Sequence, residues 1–322
     1  MNYSAANVKI WSRLGSCGAF GMAAMELPNM NEEVIMLTSD LNFYSCLTRY
    51  SNKYPDKFYN LGIAEQNMIG VAAGMAKEGF LPFATTYATF AAMRCADQVR
   101  VNMGYMKLNI KLVGLTAGYS VGILGPTHMS IEDLAVMRSI PNITILSPAD
   151  CTETVKATLA AAEIEGPVYL RLSGGLNNPI VYSQDYDFEP GKAITLREGE
   201  DVIIFATGTM VYESLQAAEL LEQEGISAGV LDFHTIKPLD KAAIEKACKA
   251  NLIVTVEEHS ILGGFGSAVA EVLSTCDEAP KQLLIGMKDR YPHAASYDFL
   301  LEQEGLKSTA IAQKIIRKLK NK

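Results

Sequence analysis

The chain has 322 residues, 49% of them apolar and 20% charged, which is the composition of an ordinary globular protein at a length that favours two domains. A net charge of −8 argues against a nucleic-acid or anionic-membrane partner, and no apolar run approaches the roughly 18 residues that span a bilayer. The six cysteines lack paired spacing and Met1-Asn-Tyr-Ser-Ala-Ala lacks a signal-peptide pattern, so free thiols in a soluble, cytoplasmic protein are expected.

Val8–Leu27, rich in Ala, Gly and Met, reads as a helix, with Ser12 and Arg13 inside or just before it. Val34–Leu37 is a short apolar run that reads as a strand. Lys57–Tyr59 reads as another, and it leads into Asn60-Leu-Gly-Ile-Ala-Glu-Gln-Asn67 and a helix whose Gly and Ala recur at helical spacing. Leu81–Thr86 is a strand, followed by Tyr87-Ala-Thr-Phe90 and a helix through Arg100. Ile110–Leu115 is a strand, Thr116–His128 a Gly-rich loop, Ile131–Ser139 a helix and Ile143–Leu146 a strand. The helix Thr152–Glu163 and the strand Val168–Leu172 follow. This alternation predicts a parallel sheet covered on both faces.

Asn177–Gly191 is polar and reads as a linker. Beyond it the alternation resumes: strand Val202–Ala206, helix Met210–Glu224, strand Ala228–Phe233, helix Lys241–Ala250, strand Leu252–Val256, helix Gly264–Leu273, strand Leu283–Met287 and helix Ser308–Leu319. The expected architecture is two doubly wound α/β domains, residues 1–187 and 188–322.

Several residues admit two readings. Glu65 sits where a strand hands over to a helix, so it is either a charge favoured by the helix dipole or a functional acid. Tyr87 and Phe90, three apart, either pack in the core or form a platform for a flat heterocycle. His128 follows Gly125-Pro-Thr in a loop at the C-terminal edge of the sheet, where ligands bind in such folds, although a lone histidine is commonly structural. The four histidines are far apart in sequence and no Cys/His cluster has metal-ligand spacing, so no metal held by this chain alone is expected.

Asn60–Gly70 with Glu65, Tyr87-Ala-Thr-Phe90, Gly125-Pro-Thr-His128, Ile140-Pro-Asn142 and Ser147-Pro-Ala-Asp150 fall in the order and spacing of the transketolase family. Ile236-Lys-Pro-Leu239 and Val256-Glu-Glu-His259 before Gly263-Gly264 extend the likeness over nearly the whole chain. The chain resembles the C-terminal half of a transketolase, its pyrimidine-binding domain plus its C-terminal domain. It contains no Gly-Asp-Gly, the run with which the family holds metal and cofactor diphosphate. It is therefore similar to the smaller subunit of a split, two-chain transketolase.

The resemblance implies a thiamine-diphosphate-dependent transferase of two-carbon ketol groups between small sugars, inactive alone. Magnesium or calcium and the diphosphate would be held by an N-terminal partner subunit, the whole forming an α2β2 heterotetramer. A relative of deoxyxylulose-phosphate synthase, the β subunit of a 2-oxo acid dehydrogenase and a non-catalytic scaffold are the alternatives. In the family pattern Glu65 matches the buried carboxyl that holds the aminopyrimidine, Tyr87 and Phe90 its aromatic wall, and His128 the histidine beside the reacting carbons. Arg13 matches an arginine that reaches the sugar phosphate. The pattern is also eroded: Ile123 and Leu124 replace two acidic residues, Leu124 at a position that contacts a substrate hydroxyl. Thr116 stands for a phosphate-contacting histidine, Gly174 for an arginine and Tyr44 for a serine. Arg171 is the expected substitute for that lost arginine.

Overall fold

The computed structural model describes residues 1–320; the last two residues of the expected second domain, 321–322, lie outside them. Six strands of the first half run parallel: β1 (Val34–Thr38), β2 (Phe58–Asn60), β3 (Leu81–Tyr87), β4 (Lys111–Ala117), β5 (Thr144–Leu146) and β6 (Val168–Ser173). Their order across the sheet is β5-β6-β4-β3-β1-β2. β1, β3 and β6 are buried along their whole length, which is why they do not alternate between apolar and exposed polar residues.

The second half contributes β7 (Ile194–Arg197), β8 (Val202–Ala206), β9 (Ala228–Asp232), β10 (Thr235–Lys237), β11 (Leu252–Ser260) and β12 (Lys281–Met287). Five of these form a second sheet, β12-β11-β8-β9-β7, in which β7 alone runs antiparallel to its neighbour. β10 leaves that sheet and pairs antiparallel with β5, Thr235 opposite Leu146 and Lys237 opposite Ile145. It thereby covers an edge of the first sheet that would otherwise offer unpaired backbone groups. Lys237 Nζ reinforces the join by donating to the carbonyl of Ile140 at 2.5 Å. The two α/β domains also share a core: one apolar cluster runs from Ile35 and Met68 to Phe205, Phe233 and Phe265. Each fully buried large side chain of this kind stabilises the fold by about 2 kcal/mol.

Four differences from the sequence reading affect the site or its supports. The first helix, Ala5–Ala24, is broken at Gly15 (φ 73, ψ 178), where a Cβ would lie 2.5 Å from the carbonyl oxygen of Gly175. Only glycine allows both that φ and that crossing. The helix expected after Phe90 is instead two π-helical stretches, Phe90–Arg94 and Val99–Tyr105, around a short α turn. Tyr87 therefore ends β3, while Phe90 lies within the helical run that follows it. Residues 177–191 hold no regular element yet are packed, with the N–H groups of Val181 and Tyr182 both donating to Asp150 Oδ2 at 2.8 Å. Finally, β7, β10 and the helix Tyr297–Glu304 are additional to the elements read from sequence. Among the described residues no helix is long and apolar enough to cross a membrane.

Candidate functional site

The C-terminal ends of the parallel strands bring the motif residues to one edge. After β2 the chain turns through Gly62 (φ 72), and Asn60 Oδ1 fixes that turn by accepting from the N–H groups of Gly62 and Asp40, both at 3.0 Å. The helix Glu65–Lys77 then begins, with Glu65 as its first residue and only 4% exposed. The helix dipole favours its negative charge there. Glu65 Oε1 accepts from Arg94 Nη1 at 2.5 Å, and the Arg94 guanidinium lies over the Phe90 ring, 3.9 Å from its centroid. A cleft of about 390 Å³ lined by residues 63–67 and Arg94 opens beside this pair. Sequence reasoning missed Arg94; its place four residues after Phe90, one helical turn on, is the signal that could have found it.

Tyr87, Phe90 and His128 meet as a triangle of rings. Their centroids are 5.8 Å apart for Tyr87–Phe90, 5.7 Å for Tyr87–His128 and 5.4 Å for Phe90–His128, all edge-to-face. Burial pushes the Tyr87 phenol above its ordinary range, with Tyr44 and Cys17 adding to the effect. His128 reaches this place through a closed loop. Gly118 and Ser130 exchange backbone hydrogen bonds of 2.8 and 3.1 Å at its neck, and the His128 N–H donates to the Gly125 carbonyl at 3.0 Å.

The second domain holds that loop in position. Glu258 on β11 accepts from the N–H of Tyr119 at 2.7 Å through Oε1. Through Oε2 it accepts from the hydroxyls of Thr209 at 2.5 Å and Tyr297 at 2.7 Å. A Cβ on Gly118 (φ 68) would collide with the Glu258 carboxylate, so glycine is required for the loop to dock. Glu258 lies in the Val256–His259 motif, but its tie to the His128 loop was not visible in sequence.

The substrate-side residues divide. Tyr44, Thr116 and Gly174 line one cavity of about 540 Å³, together with Leu14, Phe43 and Leu176. It adjoins the ring triangle, since Tyr44 lies 6.4 Å from Tyr87, centroid to centroid. Thr116 has φ 54, a strained value for a β-branched residue. Ile123 and Leu124 are 73% and 47% exposed on a 3-10 turn of the His128 loop. Arg13 is exposed on the first helix, just before the Gly15 break, and is not among the cavity's lining residues.

Arg171 does not take the expected substrate-binding place. It is 1% exposed, with Nε donating to Asp133 Oδ2 at 2.8 Å and Nη2 to Asp133 Oδ1 at 3.2 Å and to the Glu258 carbonyl at 2.9 Å. Its guanidinium is spent on neutralising a buried aspartate between the domains. Burial pushes the Asp133 carboxyl up, but Arg171, His259 and the Tyr169 hydroxyl together hold it below the usual carboxylate range.

The family model described as transketolase, pyrimidine binding domain, matches residues 16–178, and that described as transketolase, C-terminal domain, matches residues 191–311. The chain is 39% identical over 303 residues to a putative transketolase C-terminal section of Methanocaldococcus jannaschii, covering 94% of this chain and 95% of that one. It is 40% identical to a 6-deoxy-6-sulfo-D-fructose transketolase subunit of Clostridium sp., covering 90% and 89%. Relatives described as 1-deoxy-D-xylulose-5-phosphate synthase, such as that of Synechococcus sp. at 38% identity, are matched over 46% of their length. Among solved structures, a split gene transketolase described as an inactive beta4 tetramer superposes with a TM-score of 0.85 at 40% identity, over 94% of this chain and 97% of that one. With both halves matched in order and end-to-end relatives at this identity, the chain belongs to the transketolase family, as a subunit made of its pyrimidine-binding and C-terminal domains.

Proposed function

We propose that this subunit supplies the aminopyrimidine half of a thiamine diphosphate site, and that a partner carrying the diphosphate-binding domain supplies the rest. The observation that carries the reading is the Arg94 guanidinium, a flat hydrogen-bond donor seated between Glu65 and the Phe90 ring. A space that takes such a group suits an aminopyrimidine, which is also flat and also needs a carboxyl partner and an aromatic face. Glu65 would hold the ring through its nitrogen, and Tyr87 and Phe90 would cover its face. His128, against both rings, would meet the oxygen of the reacting sugar carbon and move a proton there. The bound cofactor supplies the chemistry of two-carbon ketol transfer.

The partner reading rests on the missing Gly-Asp-Gly run and on the kind of relatives the chain has, a C-terminal section and a split-gene chain described as inactive in its beta4 form. We take the enzyme to be an α2β2 heterotetramer in the cytoplasm, its magnesium or calcium held by the partner. Ketose and aldehyde sugars would be its substrates; relatives named for 6-deoxy-6-sulfo-D-fructose and apulose 4-phosphate support that class. The domain division is placed between residues 187 and 188, ahead of β7, the first strand of the second sheet.

Titration calorimetry tests this directly. The chain alone should show no magnesium-dependent binding of thiamine diphosphate at micromolar concentrations. With an N-terminal partner present it should bind the cofactor and transfer a ketol group. Micromolar binding to the isolated chain would refute the divided site.

A further inference from the structure

The cavity of about 540 Å³ beside Tyr44 and Tyr87 has a chemistry that selects a substrate. Its walls are Leu14, Phe43, Tyr44 and Leu176, with the thiols of Cys17 and Cys46 behind them. Burial and the neighbouring Cys46 push the Cys17 thiol up to about 12, so it stays neutral. Among the described residues, Arg49 is the only charged side chain of the lining; it is exposed, with Nη1 turned to the Met22 sulfur at 3.4 Å. A phosphate binds well where arginines or lysines converge on it, and among the described residues none converge here. Two hydroxyls of lining residues, Ser16 Oγ and Thr116 Oγ1, are buried without a hydrogen-bond partner among those residues. Thr116 is held there at φ 54, the kind of strain that surrounding structure maintains at functional sites.

Resting on the ketol-transfer reading, we propose that the substrate's far end, lodged in this cavity, is a neutral, terminally deoxygenated sugar end, as in a 5-deoxypentose or 6-deoxyhexose. The apolar walls take the methyl group.

The test uses the complex with its partner and cofactor, with hydroxypyruvate as donor. Carbon dioxide leaves, the freed electron pair bonds the two-carbon unit to the acceptor's aldehyde carbon, and the aldehyde oxygen takes one proton. Acceptors are 5-deoxy-D-ribose, D-ribose and D-ribose 5-phosphate. The kcat/KM for 5-deoxy-D-ribose should exceed both others by about tenfold or more, the scale on which an apolar pocket discriminates. Leu176→Arg, which adds a guanidinium to the wall, should shift preference towards the phosphate. Preference for ribose 5-phosphate in the unaltered complex, or none among the three, overturns the inference, the former making Arg49 and the helix restart at Ser16 the anion site. Equilibrium binding of the same sugars, read by saturation-transfer NMR, decides it even without turnover. Exchange of the cofactor C2 proton reports separately on the ketol-transfer reading, so the two failures are distinguishable.

Discussion

Arg94 and Glu65 hold each other beside the cleft lined by residues 63–67, Nη1 to Oε1 at 2.5 Å, while Phe90 backs the guanidinium at 3.9 Å. Gln66 Nε2 donates to the Arg94 carbonyl at 3.1 Å and so ties the π-helical turn to the helix of Glu65. Because Arg94 is 44% exposed, solvent screens the ion pair and its contribution is about 1 kcal/mol or less. The guanidinium donates to the Glu65 carboxylate, whereas an aminopyrimidine would engage the same carboxyl through its ring nitrogen, and the carboxyl cannot serve both in this geometry. On the proposed reading, Arg94 would therefore have to release Glu65 when the cofactor binds.

Arg94→Ala should therefore tighten cofactor binding to the assembled complex by about three- to fivefold, the equivalent of a screened ion pair no longer competing. Calorimetry on the two complexes measures it. Weaker binding in the variant would instead make Arg94 a lasting cofactor contact.

Glu65→Gln keeps the size and the hydrogen-bonding capacity of the side chain but removes its exchangeable acid proton. Loss of a catalytic acid–base group typically slows a reaction by about 10²–10⁴-fold. The variant complex should bind thiamine diphosphate yet exchange its C2 proton more slowly by that order. Exchange at the unaltered rate would remove Glu65 from the chemistry.

The parallel sheet was legible because its strands are buried on both faces, so that Val34–Leu37, Ile110–Leu115 and Val168–Leu172 stand out as short, mostly apolar segments. β7 and β10 were not, being three or four residues long and paired by distant partners: the place of β10 is decided by β5 in the other domain. Glu65, Tyr87, Phe90 and His128 could be singled out as candidates because each belongs to a local motif. Arg94 and Glu258 were not, since what they do depends on rings and loops brought in by the fold. Arg171 was misread through its closeness to Gly174. Arg171 lies inside β6 on the face against Asp133, whereas Gly174 follows the end of the strand at φ 82.

Arg171→Met follows from that correction. Among the described residues it leaves the buried Asp133 side chain with only the Tyr169 hydroxyl, which donates to it at 2.8 Å. Removing one member of a buried pair destabilises by about 3–5 kcal/mol. Urea unfolding should show this loss, and adding Asp133→Leu should recover part of it. A variant of unchanged stability whose only defect is a raised KM for sugar would return Arg171 to the substrate site.

Asp232 on β9 and Glu153 on the helix Cys151–Glu163 form an acid cluster between the domains, with Asp150 beside them. Tyr182 donates to Asp232 Oδ2 at 2.7 Å and Tyr186 to Glu153 Oε1 at 2.8 Å; the nearby Lys156 is engaged by Asp185 at 2.5 Å. Burial, chiefly, pushes Asp232 up to about 7 and Glu153 well above the usual carboxyl range. In the unfolded chain both titrate near the ordinary value of about 4. Between that value and 7 the native state binds more protons than the unfolded state, so this cluster's contribution falls as pH rises through the window. Buried His234 and His259, each lowered to about 4, act in the opposite sense between about 4 and 6.5, so the readout has to be a difference. Asp232→Asn is neutral at every pH and nearly isosteric. Relative to the variant, the unaltered protein should lose stability between about pH 4 and pH 7, by about 1.4 kcal/mol for each tenfold by which folding tightens the carboxyl's hold on its proton. Parallel stability–pH curves for the two proteins would mean that Asp232 is already ionised in the folded state.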